Sequence, residues 1–218
     1  KNIITFITNV FFEDKKNEVI IKGDLVNYLR DKNLIYSEGK TNLKIENKYK
    51  VNSEDIYYDR NLKRIYSNKQ TLIEDNENNF YILKNGFNFD ILDRIIKSKK
   101  SIIVDNNSNT YIFENLVLNV KTKEIVGNEL KVEFEKSYFG NVNNQPIIRG
   151  RSSYSNDKEL KVHKAVFSTC NIENKKCRGW ELSSDEFRHD KEKKTFEYKN
   201  TWLKIFDQKL FFTPYFRK

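Results

Sequence analysis

The 218-residue chain has no Met, only two Cys, two Pro and two His, and seven Gly. No run of apolar residues approaches the roughly twenty that a membrane-spanning helix requires. With so few Gly and Pro, most turns must be made by Asn and Asp, whose side chains hydrogen-bond to nearby backbone. Because a starting Met is missing too, we expect a mature or excised fragment from which any signal peptide has been removed.

Motifs for catalysis are also missing. The sequence has no G-x-S-x-G elbow, no H-E-x-x-H pair and no Gly-rich phosphate loop. Of the two histidines, His189 occupies an apolar position of a predicted strand, so we expect it to pack rather than to act as a base. A zinc site formed by His163, His189 and the two cysteines is an alternative, but the C-x6-C spacing is not that of a zinc ribbon or finger. The expectation is a protein that is not an enzyme and holds no cofactor and no metal.

Charge is plentiful but mixed. The 40 Lys and Arg exceed the 31 Asp and Glu by nine, and a basic, aromatic-rich chain can be a single-stranded nucleic-acid binder. The basic residues, however, are spread along the whole chain as on an ordinary solvated surface. A basic surface equally suits a phosphorylated lipid or an anionic membrane. We expect no nucleic-acid partner, and salt-dependent oligonucleotide binding would support the alternative.

A short pattern recurs at intervals of roughly fifteen residues. It reads apolar, any residue, apolar, usually an acidic or amide residue, and then an apolar residue six positions after that anchor. Ile56-x-Tyr58-Asp59 leads to Ile65, and Phe87-x-Phe89-Asp90 leads to Ile96. Alternating apolar residues predict a strand, and the Asp, Glu or Asn that follows predicts its end in a turn. The repeat therefore predicts an all-β, antiparallel fold: a meander, barrel or roll.

The alternation within the repeat predicts bent strands. Apolar residues stay on alternate positions, so that their parity is kept, from Ile35 to Leu43, from Ile65 to Ile73 and from Ile96 to Ile102. It slips by one residue from Val19 to Val26, Phe80 to Phe87, Tyr111 to Leu116 and Ile125 to Leu130. A slip sends side chains to the opposite face unless a bulge or corner absorbs it. Long strands with corners predict a sheet folded over on itself, as in a jelly roll or an open, V-shaped sandwich. The stretch from Phe139 to Tyr154 breaks the rhythm and is predicted to be a long loop.

The two cysteines bracket a polar loop at residues 171–176. Two cysteines on one exposed loop of a processed fragment predict a Cys170–Cys177 disulfide in an oxidising compartment. Two unrelated thiols are the alternative.

The stretch around this loop resembles the LptD (OstA) family, the outer-membrane proteins that assemble lipopolysaccharide. The resemblance rests on residues 167–216, in which Phe167-Ser168-Thr169-Cys170, Cys177 and Trp180-Glu181-Leu182 precede a strand that ends at Asp190. An aromatic-rich strand at 201–206 and the run Phe211-Phe212-Thr213-Pro214-Tyr215-Phe216 follow. Over residues 10–139 the resemblance is generic and rests on the strand repeat alone.

The resemblance implies an open, V-shaped antiparallel β-jelly roll with an apolar trough for acyl chains. One periplasmic domain over residues 1–218 is implied, with the roll at about 1–206 and a hinge at 207–218 leading to a C-terminal β-barrel. At least one of the two cysteines is then expected to pair with a barrel cysteine instead. The repeat supplies the candidate lining: Tyr58, Ile65, Ile73, Phe87, Phe89, Ile102, Val104, Leu116, Leu118 and Val132. Packing of these residues against one another is the alternative for each.

The implied activity is passive conduction of lipopolysaccharide in a cell outer membrane protein, with this domain on the periplasmic side. The implied partners are lipopolysaccharide, an LptA-type bridging protein, and the chain's own barrel with an LptE-type lipoprotein plug. Bridging would use an unpaired strand edge, for which the N-terminal run with Ile4, Phe6 and Thr8 is the candidate. A self-contained LptA-like lipid carrier is the alternative.

Overall fold

The computed structural model describes residues 2–136, 146–169 and 179–218. In these residues the chain is all-β, with antiparallel pairing throughout and no α-helix, as the repeat predicts. None of the described segments forms a helix with the length and apolar character needed to cross a membrane. The strands are β1 Ile3–Asp14, β2 Val19–Leu29, β3 Leu34–Ile45, β4 Tyr49–Glu54, β5 Tyr57–Asp59, β6 Arg64–Ser67, β7 Thr71–Asp75, β8 Phe80–Leu83, β9 Phe87–Asp90, β10 Ile95–Val104, β11 Thr110–Asn119, β12 Ile125–Glu133, β13 Ile147–Ser155, β14 Glu159–Ser168, β15 Trp180–Asp190, β16 Thr195–Ile205 and β17 Gln208–Arg217.

The chain divides into two compact units. The first comprises residues 1–106 and 119–121, and the second comprises residues 107–118 and 122–218. The single domain that the resemblance implies stays a prediction.

In the first unit, β3 and β10 are long and bent, and each pairs with different strands along its two halves. The first half of β3 pairs with β5 and its second half with β4. Pairing then runs through β6 and β9 on one side and through β7 and β8 on the other, and both paths end on β10. Eight strands therefore close into a ring, so this part of the chain is a closed barrel and not an open sheet.

The hairpin β1–β2 extends this ring from β3. Among the described strands, β2 is the only one that pairs with β1, so β1 is an edge strand. The β1–β2 register shifts between Ile7 and Val10, where Thr8 and Asn9 have φ values of 68° and 51°. The edge is thus two short half-strands joined at a bulge.

The second unit is a meander in which each strand from β11 to β17 pairs with the next. The predicted hinge segment 207–218 contains β17, which within the described residues pairs with β16 alone. The predicted long loop up to Tyr154 is wrong from residue 147 onward, since Ile147–Ser155 forms β13. Its inward residues Ser153 and Ser155 are polar, so hydrophobic alternation did not reveal it.

Turns form as the anchors predict, with the anchor side chain accepting backbone hydrogen bonds. Asp59 Oδ1 accepts from the N–H groups of Asn61 (3.0 Å) and Leu62 (2.8 Å). Asp90 Oδ1 accepts from Leu92 (3.0 Å) and Asp93 (3.1 Å) in the same way. Each Asp therefore ends its strand by satisfying the turn backbone.

Small hydroxyl residues line the inside of the bends. Thr41 Oγ1 donates to Ser37 Oγ (2.7 Å), and Ser184 Oγ lies 2.9 Å from Thr201 Oγ1. All four are buried. At a bend the two walls come close, which leaves room for small side chains, and the hydroxyls pair because buried polar groups need partners.

Two of the predictions about which residues alternate into the core are wrong. Phe80 is 42% exposed, and its neighbour Tyr81 occupies the core instead. From Ile96 to Ile102 parity is lost, because Lys100 has a φ of 53° and the bend there turns Ile103 inward. The slips from Val19 to Val26, Tyr111 to Leu116 and Ile125 to Leu130 are confirmed as bends or bulges.

Candidate functional site

An apolar groove of about 170 Å³ lies where the hairpin β1–β2 meets β3. It is lined by Phe6, Val10, Phe11, Phe12, Val26, Tyr28, Ile35 and Arg60. Seven of these eight side chains are apolar or aromatic, and Arg60 carries the charge. A dry cavity of about 150 Å³ holds a benzene molecule, so the groove accommodates a short hydrocarbon segment.

The groove exists because β1 is an edge. Phe6 lies opposite Val26 and Phe12 opposite Ile21, so their side chains form the inward row of β1. Val26 and Ile21 are buried, whereas Phe6 is 47% exposed and Phe12 is half-buried. No further described strand covers β1, which leaves this inward row open to solvent or to a ligand.

Two continuous cross-strand rows lead from the groove into the ring. The backbone registers align Tyr28, Ile35, Tyr58, Ile65, Phe89 and Ile96 across successive strands. They likewise align Phe12, Ile21, Leu43, Val51, Ile73, Tyr81 and Ile103. Each row is apolar from the open edge to the closed interior.

Tyr58 anchors β1 to the ring through its hydroxyl. Its ring lies edge-on to Phe12, with centroids 6.2 Å apart. Its hydroxyl donates to Asp14 Oδ2 (2.5 Å) and accepts from Asn17 Nδ2 (3.1 Å). Burial, followed by the hydrogen bond to Asp14, raises the pKa of Tyr58 to about 12. Burial opposes ionisation of Asp14, but the bonds from Tyr58 and Asn17 outweigh it and lower the pKa of that carboxyl.

Arg60 is the one charged residue of the groove lining. Its Nη1 donates to Asn33 Oδ1 at 3.4 Å. Within the described residues no carboxylate lies within ion-pair distance of its guanidinium, although its positive charge contributes to lowering the pKa of Asp14. A half-buried guanidinium beside an apolar groove can bind a phosphate or carboxylate oxygen.

The predicted lining residues are mostly in the core. Eight are at most 4% exposed, namely Tyr58, Ile65, Ile73, Phe87, Phe89, Leu116, Leu118 and Val132. Ile102 and Val104 lie on the opposite face of β10 from Ile103 and are half-buried. The first five belong to the ring, and three of them, Tyr58, Ile65 and Phe89, share a row with the groove residue Ile35. Their role as lining stays a prediction.

The predicted docking residues behave differently from one another. Ile4 lies opposite Tyr28 and is half-buried, whereas Phe6 lines the groove. Thr8 sits at the bulge with positive φ. The remaining groove residues were not predicted as lining: Val10, Phe11, Phe12, Val26, Tyr28, Ile35 and Arg60. The repeat did contain the apolar pairs Val10-x-Phe12 and Val26-x-Tyr28, and the N-terminal run was the predicted docking edge. No local signal, however, indicated that this edge forms a groove with β2 and β3.

The predicted disulfide residues Cys170 and Cys177 lie outside the described residues.

His189 is buried, stacks on Phe196 with centroids 4.6 Å apart and meets Phe134 edge-on, so it packs as expected. His163 is exposed on the other face. In the part of the chain that is described, no three His, Cys, Asp or Glu side chains gather as a metal site would require.

No protein-family model matches the chain, and no curated protein matches it.

Proposed function

We propose that this chain is a lipid-sheltering domain similar to the periplasmic domain of LptD. In this role it holds acyl chains of lipopolysaccharide and passes them from an LptA-type bridge to an outer-membrane barrel. The observation that carries the proposal is the apolar groove beside the uncovered edge strand β1, with Arg60 in its lining.

The chemistry of the groove suits one end of an acyl chain. Each methylene that leaves water contributes about 0.8 kcal/mol, and the lining offers Phe6, Val10 and Phe12 on one side. Arg60 offers a charge-assisted hydrogen bond to a phosphate or carboxylate at the polar end of such a lipid. The groove admits only a short segment, so a longer chain requires more space.

The two cross-strand rows indicate where that space would come from. We propose that the bent walls part along these rows when lipid enters, so that the open, V-shaped jelly roll is the loaded form. Tyr58, Ile65, Ile73 and Phe89 would then change from core residues to lining residues. The Ser37–Thr41 hydroxyl pair at the bend of β3 would lie at the hinge about which the walls part.

The two edge strands supply the partner surfaces of this proposal. The unpaired side of β1 would receive a strand of an LptA-type bridge, with pairing interrupted at the Thr8–Asn9 bulge. Strand β17 carries Leu210, Phe211, Phe212, Tyr215 and Phe216, which are 42% to 62% exposed. Such a strand is expected to be covered by a neighbouring barrel, with its LptE-type plug. It therefore favours the LptD-like interpretation over a self-contained LptA-like carrier.

Site-specific photocrosslinking to lipopolysaccharide tests the proposal. A photoreactive residue at Phe6 or Phe12 is expected to crosslink, because both side chains line the groove. The same residue at Ile7, which is 72% exposed on the opposite face of β1, or at Leu62 in a turn is the matched control. Equal yields at groove and control positions would refute the proposed site.

A further inference from the structure

A second groove of about 560 Å³ lies on the outer face of strands β14–β17, entirely within the second unit. It is lined by Lys164, Ser183, Ser184, Asp185, Asn200, Trp202, Lys204, Lys209 and Phe212. Its lining combines aromatic rings, amines and hydrogen-bonding groups, in contrast to the apolar groove of the first unit.

The aromatic part is a two-ring platform. Trp202 and Phe212 are directly opposite in the β16–β17 register, with ring centroids 5.1 Å apart and planes tilted by 47°. Trp202 is half-buried and Phe212 is 43% exposed. A partly exposed aromatic surface next to polar groups suits a ligand with one apolar face, such as the C–H face of a pyranose ring.

The charged part is positive. Lys164 Nζ pairs with Asp185 at 2.7 Å, and Lys204 Nζ pairs with Glu181 at 2.9 Å. Lys209 Nζ lies 5.0 Å from the centre of the Trp202 ring, and no described carboxylate forms an ion pair with it. Two of the three lining ammonium groups are therefore paired with carboxylates, and Lys209 supplies the remaining positive charge. An anion placed beside Trp202 would meet Lys209 first.

Hydrogen-bonding groups complete the lining at the bends of the strands. Asn200 Nδ2 donates to Asp185 Oδ2 at 3.1 Å, so the amide and the carboxylate hold each other in place. Lys164 and Asn200 have φ values of 52° and 49°, which place them at the outer side of their bends. The bonds from Lys164 and then Asn200 lower the pKa of Asp185, so at neutral pH it is available to accept from a sugar hydroxyl.

We propose that this groove binds an anionic saccharide, whose ring packs on Trp202 and Phe212 and whose phosphate or carboxylate pairs with Lys209 and Lys204. The site stands on the second unit alone. It rests on the proposed function for one of the two possible sources of such a ligand, which is the headgroup of a glycolipid. A free sugar phosphate is the other.

Titration of the whole chain with glucose 1-phosphate, glucose and inorganic phosphate, followed by calorimetry, tests the chemistry. Glucose 1-phosphate is expected to bind at least about tenfold more tightly than either glucose or phosphate. Lys209→Gln is expected to weaken glucose 1-phosphate by about tenfold while leaving glucose unchanged. Trp202→Leu is expected to weaken both sugars, and Trp180→Phe, outside the groove, is the control.

Two results would overturn the proposal. One is the absence of saturable glucose 1-phosphate binding to the wild-type chain. The other is inorganic phosphate binding as tightly as the sugar phosphate with no effect of Trp202→Leu, which is the signature of an anion attracted to lysines alone.

A second pair of titrations separates the two sources. Deacylated lipid A that binds the wild type and is weakened about tenfold by Trp202→Leu and by Lys209→Gln identifies a glycolipid headgroup as a ligand of this groove. Binding of glucose 1-phosphate without binding of deacylated lipid A identifies a free sugar phosphate and leaves the anionic saccharide site in place. Glucose 1-phosphate has no acyl chain, so its binding does not depend on whether the apolar groove holds lipid. Crosslinking of lipopolysaccharide at Phe6 likewise does not depend on whether the second groove binds a saccharide.

Discussion

Gly39 and Gly86 provide a matched pair that tests the closed ring of the first unit. Both have a φ of 76°, in the left-handed region that favours glycine. They differ in their surroundings. A Cβ added at Gly86 would lie 1.9 Å from the Ser67 carbonyl oxygen and 2.7 Å from its carbon, whereas a Cβ at Gly39 would meet nothing within 4 Å. The close approach at Gly86 arises because the bend between β8 and β9 packs on the bend after β6.

The expected losses of stability follow from this difference. Alanine in the left-handed region costs about 1–2 kcal/mol, partly offset by about 0.4–1 kcal/mol because the unfolded chain loses freedom. Gly39→Ala should therefore lower the free energy of unfolding by about 1 kcal/mol. Gly86→Ala adds a collision with backbone that no side chain rotation relieves. We expect it to lose at least about 4 kcal/mol, the range of exceptional substitutions.

Urea unfolding followed by far-ultraviolet circular dichroism measures both losses. The urea dependence of the free energy should stay the same in Gly39→Ala, since that variant leaves the ring intact. Losses of equal size in the two variants would refute the close approach of the two bends, and with it the ring derived from strand pairing.

Three further predictions concern the core, the bends and the anchor of β1. Phe187→Ala should lower the free energy of unfolding by about 3–5 kcal/mol, because the ring is fully buried. Phe211→Ala, at a 62% exposed position, should change the free energy of unfolding by less than about 0.5 kcal/mol. Urea unfolding of both variants measures the two changes. Thr71→Val removes a hydroxyl contact of 2.8 Å at a buried bend and should cost about 1–2 kcal/mol in the same assay. The lowered pKa of Asp14 stabilises the fold above the unfolded value of about 3.9, and this contribution is lost as the pH falls. Tyr58→Phe should therefore show a smaller loss of stability than the wild type between pH 6 and pH 3, and an identical loss would contradict the Tyr58–Asp14 bond.

Sequence reasoning predicts the strands well because alternation and turn chemistry are local. The anchors Asp59 and Asp90 end β5 and β9, as their hydrogen bonds require. Local pattern fails where two apolar residues are adjacent, as with Phe80 and Tyr81, because only the partner strand decides which one turns inward. It also fails at β13, where Ser153 and Ser155 replace apolar residues at inward positions.

The site was less predictable than the strands. The predicted lining residues Phe87 and Phe89 belong to a regular repeat whose strand lies within the ring, and both are buried. The groove residues Val10 and Phe12 belong to an equally regular repeat whose strand lies at an edge. The N-terminal run was predicted as an edge, but the groove also needs Val26, Ile35 and Arg60 from later in the chain. Pairing over long sequence separations leaves no local signal for such a combination.

Lipid A titration of two neighbouring variants tests the central claim most directly. Phe6 and Ile7 are adjacent on β1, but Phe6 lines the groove and Ile7 points to the opposite face with 72% exposure. Phe6→Asp places a carboxylate against the acyl chain at a large desolvation cost, so its dissociation constant should rise at least about tenfold. Ile7→Asp disturbs the same strand edge equally but should stay within about twofold of the wild type. Equal weakening by both variants, or no binding of lipid A to the wild type, would contradict acyl-chain binding in the groove.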